Sequence, residues 1–480
     1  MNDIADRALN QAQVAGASYV DVRTISQRSE VISVKNGKVE AFARASSEGF
    51  GVRVIAGGAW GFAASNQLTA AEADRIAKLA VNIAKASALA KKQDVRLSTI
   101  QPVQARYATP VQTDPLEQVS VEQKLELLLA CDAAMRRVKG LTIAESSLEA
   151  AVEDKLFASS EGSRIEQRIV TCGAGIEATA VTPDEVQTRS YPNSFGRQAG
   201  TAGWEFIQSL QLVDNAERVA SEAVELLTAK QCPSTTTTLI LDGPQLALQI
   251  HESCGHPIEL DRVFGMEAAY AGTSFLTTEK LGRFRYGSEL VNIFADATVP
   301  AGLGTFGHDD EGVPAQRTPI VQNGLFVGYM TSRETAPLIE QASSGTMRAD
   351  GWNRIPLIRM TNVNLEPGDW TLDDLIAATD DGIMMGVNKS WSIDDKRLNF
   401  QFGTELAWEI RNGKRGALLK NATYTGITPQ FWGSCDAICN RDHWQLWGTT
   451  NCGKGQPSQT MYVGHGVAPA RFRNVRVGVV

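Results

Sequence analysis

Runs of positive charge are missing from this 480-residue sequence, in which no lysine or arginine run is longer than a pair and the net charge is -8. That excludes a broad nucleic-acid surface, because neutralising phosphates takes clustered cations. Long apolar runs are missing too, so no segment is expected to span a bilayer. The N-terminus, Met1-Asn2-Asp3-Ile4-Ala5-Asp6-Arg7, is acidic and polar where a secretory signal is basic and then apolar. Cysteine is scarce: the 7 present are an odd number without framework spacing. They read as reduced thiols in a cytoplasmic protein, free to act as metal ligands. Neither a fixed-period repeat nor a low-complexity tract is found. What remains, 43% hydrophobic and 21% charged residues, is the composition of an ordinary globular protein.

The chain is longer than one hydrophobic core usually organises, and two domains are expected, residues 1–232 and 233–480. In the first, Ile4, Ala8, Ala12 and Ala15 share a helical face with Gly16 as a stop. Residues 19–23 alternate as a strand, and Asn36-Gly37 marks a hairpin, since both residues tolerate the positive φ of a tight primed turn. Thr69-Ala70-Ala71-Glu72 and Ser120-Val121-Glu122-Gln123 are capping boxes. The first opens a helix with Ile76, Ala77, Ala80, Ile83 and Ala84 inward. Residues 87–115 read as loop, and Asp214 is expected to cap a helix ending near Lys230. The second domain opens with a strand over 236–241 and a helix beginning at Asp242-Gly243-Pro244. Two further Asn-Gly hairpins follow at Asn323-Gly324 and Asn412-Gly413. The fold class is α+β: an N-terminal sheet-and-helix domain, then a mainly antiparallel β domain carrying the site helix.

That helix contains Gln249-Ile250-His251-Glu252-Ser253-Cys254-Gly255-His256-Pro257, which has two of the chain's 5 histidines. In the familiar zinc-peptidase motif the histidines lie four apart on one helical face, and the glutamate between them handles the proton of a metal-bound water. Here the spacing is five. At about 100° per residue a regular helix turns His256 about 140° away from His251, too far for one metal. The helix therefore bulges, or ends, before His256, with Gly255 and Pro257 as the breaking residues.

A catalytic zinc site needs three protein ligands and an open position. Cys254 lies between the histidines but points elsewhere on the turn, as a small hydrophobe would. Cys435, Cys439 and His443 recur every four residues and would line one helical face, a rival constellation. Cys452, in the glycine-bordered run Thr450-Asn451-Cys452-Gly453-Lys454-Gly455, is favoured because a thiolate there approaches a metal without crowding. Three weaker candidates contact substrate or assist. His308, in His308-Asp309-Asp310-Glu311, would orient substrate or hold a cation; Arg359 would support the site or the substrate backbone; His465 would donate to an oxyanion.

His251-Glu252-Ser253-Cys254-Gly255-His256, Asp309-Asp310-Glu311-Gly312-Val313-Pro314, Arg359-Met360-Thr361-Asn362 and Cys452-Gly453-Lys454 follow one another much as in the TldD/PmbA family of metallopeptidases, which the chain resembles over nearly its whole length. The resemblance implies zinc (Zn2+) held by His251, His256 and Cys452, with Glu252 as the general base. Because PmbA-like paralogues lack the His-Glu motif, it also places the chain on the catalytic TldD-like branch. The function so implied is zinc-dependent hydrolysis of unfolded or extended peptides, in a homodimer or a heterodimer with a PmbA-like paralogue. Two other classes fit the residues: a zinc hydrolase of non-peptide amides, and a non-catalytic regulatory protein. A β-rich domain offers an extended peptide a strand edge to pair with.

Overall fold

The computed structural model describes residues 1–478. In the N-terminal half α1 (Asn2–Val14) is followed by β1 (Tyr19–Lys35), β2 (Lys38–Ala56), β3 (Ala59–Ser65), α2 (Ala70–Ser87), β4 (Gln104–Ala108) and α3 (Val121–Arg136). Next come β5 (Ile143–Ser159), β6 (Arg164–Val181), β7 (Val186–Tyr191), β8 (Gln198–Gly200), α4 (Trp204–Ser209) and α5 (Leu212–Thr228). The strands form one sheet in the order β3-β2-β1-β5-β6-β4, with β7 and β8 both paired to β6.

Alternation along the long strands puts apolar residues against the helices. Val20, Val22, Val52 and Val54 pack with Ala5, Ala8, Ala77 and Ala80 of α1 and α2, while Ile32, Leu148 and Ile176 pack with Leu128, Met135, Val219 and Ala223 of α3 and α5. Each such large side chain removed from water is worth roughly 1.5–3 kcal/mol. Both capping boxes start helices, through Thr69 accepting from the Glu72 N–H and the reciprocal Ser120–Gln123 pair. Three local expectations are corrected. Ile83 lies on the outer face of α2, 38% exposed, because the buried stripe of α2 is made of alanines with Ile76 and Val81. α5 starts two residues before Asp214, which stands in its first turn. The stretch read as loop contains β4, which alternates too briefly to announce itself and is held by parallel pairing to β6.

The C-terminal half begins with β9 (Lys230–Gln231), β10 (Thr235–Leu241), α6 (Gly243–Ile250) and α7 (Leu260–Val263), then β11 (Ile293–Asp296), β12 (Arg317–Gln322), β13 (Leu325–Phe326), β14 (Met347–Arg348), β15 (Leu357–Ile358) and β16 (Asn362–Leu365). It continues through α8 (Leu372–Ala377), β17 (Asp381–Met385), β18 (Asn388–Ile393), β19 (Asn399–Thr404), β20 (Ala407–Arg411), β21 (Lys414–Lys420) and β22 (Thr423–Ile427). Last are α9 (Thr428–Gly433), β23 (Cys435–Ile438), β24 (Gln445–Lys454), β25 (Gln459–Val467) and β26 (Ala470–Val477).

Two large sheets carry this half, one ordered β18-β19-β22-β26-β10-β17-β20-β21-β9 with β23 on β26, the other β13-β12-β11-β16-β25-β24, and β14 pairs with β15 apart from them. Pairing is mainly antiparallel, with parallel exceptions at β10–β17, β16–β25 and β21–β9. α6 lies against β16, β24 and β25, with Leu246, Ala247 and Ile250 in the core. All three Asn-Gly turns have positive φ at both residues: Asn36 and Gly37, Asn323 and Gly324, Asn412 and Gly413.

Buried charges join the halves. Arg53 bonds Asp21 at 2.7 Å within its own sheet and Glu311 of the other half at 3.2 Å. Asp310 receives Arg23 at 3.5 Å and Lys155 at 2.8 Å. Asp309 accepts backbone N–H groups from Glu311, Val313 and Met347.

Candidate metal centre

α6 is started by Asp242, whose carboxylate accepts from the Gly243 N–H at 2.8 Å, and it runs regularly to Ile250. Over His251–Gly255 the backbone widens into a single π turn, closed by a bond from the His256 N–H to the His251 carbonyl. One extra residue is thus absorbed in one turn, and both histidines face the same way. A short 3-10 turn over His256–Ile258 completes the element. Gly255 is not the left-handed stop its type suggests. It keeps right-handed helical backbone, and a Cβ there would stand 2.2 Å from the Met360 sulfur. The glycine is required by close packing, not by its φ.

The two imidazoles lie edge to face with centroids 5.0 Å apart. Hydrogen bonds fix which nitrogen of each is free. His465 Nδ1 lies 3.2 Å from the Val363 carbonyl, which can only accept, so His465 Nε2 carries a lone pair. That lone pair is 2.8 Å from His251 Nδ1, which therefore donates and leaves His251 Nε2 bare. His256 Nδ1 donates to Glu259 at 3.0 Å, leaving His256 Nε2 bare and 3.7 Å from the Cys452 sulfur. One donor atom each from His251, His256 and Cys452 lies within 4.8 Å of the others.

Burial lowers the pKa of His251, His256 and His465, which keeps the rings neutral. The cysteines separate sharply. Burial pushes Cys131, Cys172, Cys254, Cys435 and Cys439 up to about 12 and Cys232 to about 11. Burial also acts on Cys452, but the Arg359 guanidinium and His256 outweigh it and bring its pKa below the usual thiol value. Two bare imidazole nitrogens and one thiol inclined to ionise are a donor set that suits zinc. The hydrogen bonds on the far side of each ring are those that orient metal-ligating histidines.

Cys452 comes from β24, paired to β25 with a register shift between Thr449 and Cys452. The strand is fastened on its far side. Arg359 donates to the Cys452 carbonyl at 2.5 Å, and Lys454, fully buried, bonds Asp261 at 2.7 Å and Glu259 at 3.3 Å. Glu259 thus touches both His256 and Lys454. Glu252 faces the same cavity, of about 300 Å³, and one of its oxygens is held by Arg397. Arg397 stands between β18 and β19 with φ of 63°, in a turn that Asp394 secures by accepting from the Leu398 and Asn399 N–H groups.

Of the weaker candidates, two stand behind the centre and one lies elsewhere. His465 has both ring nitrogens engaged and is fully buried behind His251, so it orients a histidine and has no N–H left for an oxyanion. Arg359 is fully buried under β24 and is committed to that strand's carbonyl and its neighbour's. His308 lines another cavity, of about 390 Å³ between the halves. Its acidic neighbours form the ionic joint, where protein groups already occupy their oxygens. The rival constellation does not assemble. Cys435 is in strand β23, which shifts register between Cys435 and Ala437 and ends before Cys439, and His443 stands in a separate turn where it accepts from the Leu372 N–H at 3.2 Å. Arg397, Glu259 and Lys454 escaped the sequence reading. Glu259, three residues beyond His256, carried a signal as a carboxylate within one turn; Arg397, 145 positions from Glu252, carried none.

Family models match almost all of the chain: PmbA/TldA metallopeptidase domain 1 at residues 20–84, its central domain at 114–231 and its C-terminal domain at 234–479. A metalloprotease of Methanocaldococcus jannaschii is 30% identical over 88% of this chain and 89% of its own. A zinc metalloprotease TldD homolog of Saccharolobus solfataricus is 26% identical over 50% of this chain and 51% of its own. Two solved structures share the fold. A candidate modulator of DNA gyrase from Thermotoga maritima has a TM-score of 0.80 at 17% identity, covering 99% of this chain and 100% of that one. TldE from Thermococcus kodakarensis has a TM-score of 0.74 at 16% identity, with the same coverage.

Proposed function

The chain belongs to the PmbA/TldD metallopeptidase family, and from that premise we propose that it is a zinc-dependent peptidase that cuts extended peptides, with Glu252 as the general base. The observation that carries this reading is the convergence of two bare histidine nitrogens and the one acid-shifted thiol beside a carboxylate in a single cavity. Zinc, when bound by His251, His256 and Cys452, supplies a Lewis acid that polarises a carbonyl and makes water easier to deprotonate.

The protein's own groups supply the rest. Arg397 holds Glu252 Oε2, so Oε1 is the oxygen left to take the proton of the attacking water. As the C–N bond breaks, the same carboxyl returns that proton to the leaving nitrogen, and the glutamate is regenerated. Arg397 acts as a positioning residue: its strained backbone and anchored turn fix the guanidinium, and the guanidinium fixes the carboxylate. His465 and Glu259 hold the two imidazoles in the tautomers that present Nε2.

Strand edges support the rest of the reading. β24 is the outer strand of its sheet. Gln198 and Asn193 occupy the amide and carbonyl of Gly448, and past that point, among the described residues, no strand pairs with the edge that runs by the cavity. An extended peptide can pair there through its main chain. A second open edge lies in β2, where β3 pairs only from Phe50 onward and residues 38–48 are exposed. Such an edge calls for a partner strand, which a second copy or a PmbA-like paralogue would supply. No helix of the described residues is long and apolar enough to cross a membrane. The seven cysteines, all free, accord with a cytoplasmic site of action.

Metal analysis with a peptidase assay tests the reading. Wild type should carry one zinc per chain and cut an unstructured peptide; Cys452→Ala and His251→Ala should lose zinc, while Glu252→Gln should keep zinc and lose turnover. Full activity in Glu252→Gln, or zinc retained at wild-type affinity by Cys452→Ala, would overturn it.

A further inference from the structure

Two large rings are left in solvent at the mouth of the metal cavity, one from each half of the chain. Phe195 is 48% exposed and Trp391 43% exposed. They meet edge to face with centroids 6.4 Å apart. Phe195 has φ of 58° and ψ of 27°, a left-handed backbone that is unfavourable for a bulky residue. Its loop is tied down nonetheless. Asn193 accepts from the Ser194 N–H at 2.8 Å and donates to the Gly448 carbonyl of β24 at 3.3 Å. A strained turn, fastened to the strand that carries Cys452, thus displays a phenyl ring that the core does not take up.

α6 lines the same cavity through Pro244, Ala247 and Leu248 and packs against β18, which carries Trp391. α6 is otherwise enclosed in the core, and Leu248 is its one residue that is not buried. The two charged groups deepest in the cavity, Glu252 and Arg397, are paired with each other, and Arg197 lines it on the Phe195 side. The two rings with Pro244, Ala247 and Leu248 form the apolar part of a lining whose remaining groups, Ser194, Asn388, Thr449 and Asn451 among them, are polar, and a cleft bounded by that apolar part favours an apolar side chain.

We propose that this cleft is a specificity subsite that takes one large apolar side chain, aromatic or branched aliphatic, of the peptide lying along β24. The proposal rests on the peptidase reading above and adds a preference to it: main-chain pairing is blind to sequence, and the cleft is not. An apolar pocket discriminates by about 10–200-fold for a single methylene that the side chain gains or lacks.

Binding separates the two claims. Zinc-loaded Glu252→Gln protein is titrated by fluorescence anisotropy with labelled peptides of one common sequence, each position exchanged in turn for Leu, Phe, Ser or Asp. One position should favour Leu and Phe over Ser and Asp by about 10-fold or more. The pair Phe195→Ser with Trp391→Ser should bring that ratio to within about threefold, with zinc content and sedimentation unchanged, and the conservative pair Phe195→Leu with Trp391→Phe should restore it. Leu248→Trp, which fills the cleft from α6, should abolish the preference too and serves if the double serine variant fails to fold. Equal binding at every position, or a preference that survives both changes, overturns the subsite. A double variant that sediments differently also overturns it, by assigning the rings to a subunit contact. Hydrolysis without preference sinks the subsite alone; wild-type enzyme that cuts none of the peptides sinks the peptidase reading.

Discussion

Asp309, Asp310 and Glu311 at the joint between the halves are as deeply buried as His251, His256 and Cys452, yet the two groups direct their donors and acceptors in opposite ways. At the joint the acceptors face protein. Asp310 is shared by Arg23 and Lys155, Glu311 takes Arg53 and the Arg333 N–H, and Asp309 takes three backbone N–H groups. At the metal centre the hydrogen bonds that fix the two rings and the strand are made on their far side, and the near side, where His256 Nε2 and the Cys452 sulfur stand 3.7 Å apart, turns two ring nitrogens and a thiol to one cavity. Burial alone therefore does not distinguish a binding site from a fastening. The distinction lies in which atoms are left over after the protein has satisfied its own.

That contrast can be broken at either end. The largest expected effect is Glu252→Gln, which should reduce kcat by about 10²–10⁴-fold, the usual contribution of a general base, while thermal stability and zinc content stay at wild-type levels. At the joint the converse should hold. Asp310→Ala leaves Arg23 and Lys155 buried without their carboxylate and should cost about 3–5 kcal/mol of stability by denaturant unfolding, with zinc binding intact in the folded fraction. His465→Ala removes the acceptor behind His251 and should weaken zinc about 10–100-fold in a competitive chelator titration. Arg397→Ala should lower kcat more than KM, with zinc retained. Added guanidinium should restore part of the rate, which a general loosening of the fold would not allow.

The smallest expected effect is on pH dependence at the joint. Burial, reinforced by Glu311, raises the Asp309 carboxyl to about 8. An acid whose folded pKa is raised binds its proton more tightly when folded. Its contribution to stability is complete below the ordinary carboxylate range and is lost as pH rises from about 4 to about 8. Asp309→Asn should flatten the stability profile across that window, measured by denaturant midpoints at successive pH values. An unchanged slope would mean that the carboxyl is ionised throughout.

The sequence carried the signals that are local in the chain. Asn-Gly turns, capping boxes and the strand leading into α6 can be read within a few residues because each depends on its own backbone. The widened turn was legible for the same reason: histidines five positions apart fit one metal only if the helix departs from its regular pitch. What the sequence hid depends on distant strands. The spacing of Cys435, Cys439 and His443 imitates a helix face only until β26 is known to pair with Cys435 and make it a strand. Arg397 gains its meaning from a hairpin turn that folds back 145 positions to Glu252. The acidic run at 309–311 looked like a site because a sequence shows its charges and not the cations opposite.

β26 has a consequence for how the chain reaches this state. Residues 470–477 are not an edge but an interior strand, bonded to β10, β22 and β23 together. β10, the strand that leads directly into the histidine helix, waits for a partner synthesised more than two hundred residues later. Pairings of that separation form slowly, and until they do β10 presents an unpaired apolar edge that invites aggregation. A chain interrupted before residue 470 would hold both histidines and Cys452 and still lack the strand that keeps them in register. Assembly of the site is therefore a late event in the life of each molecule, and a nascent chain passes most of its synthesis without a working cutting edge.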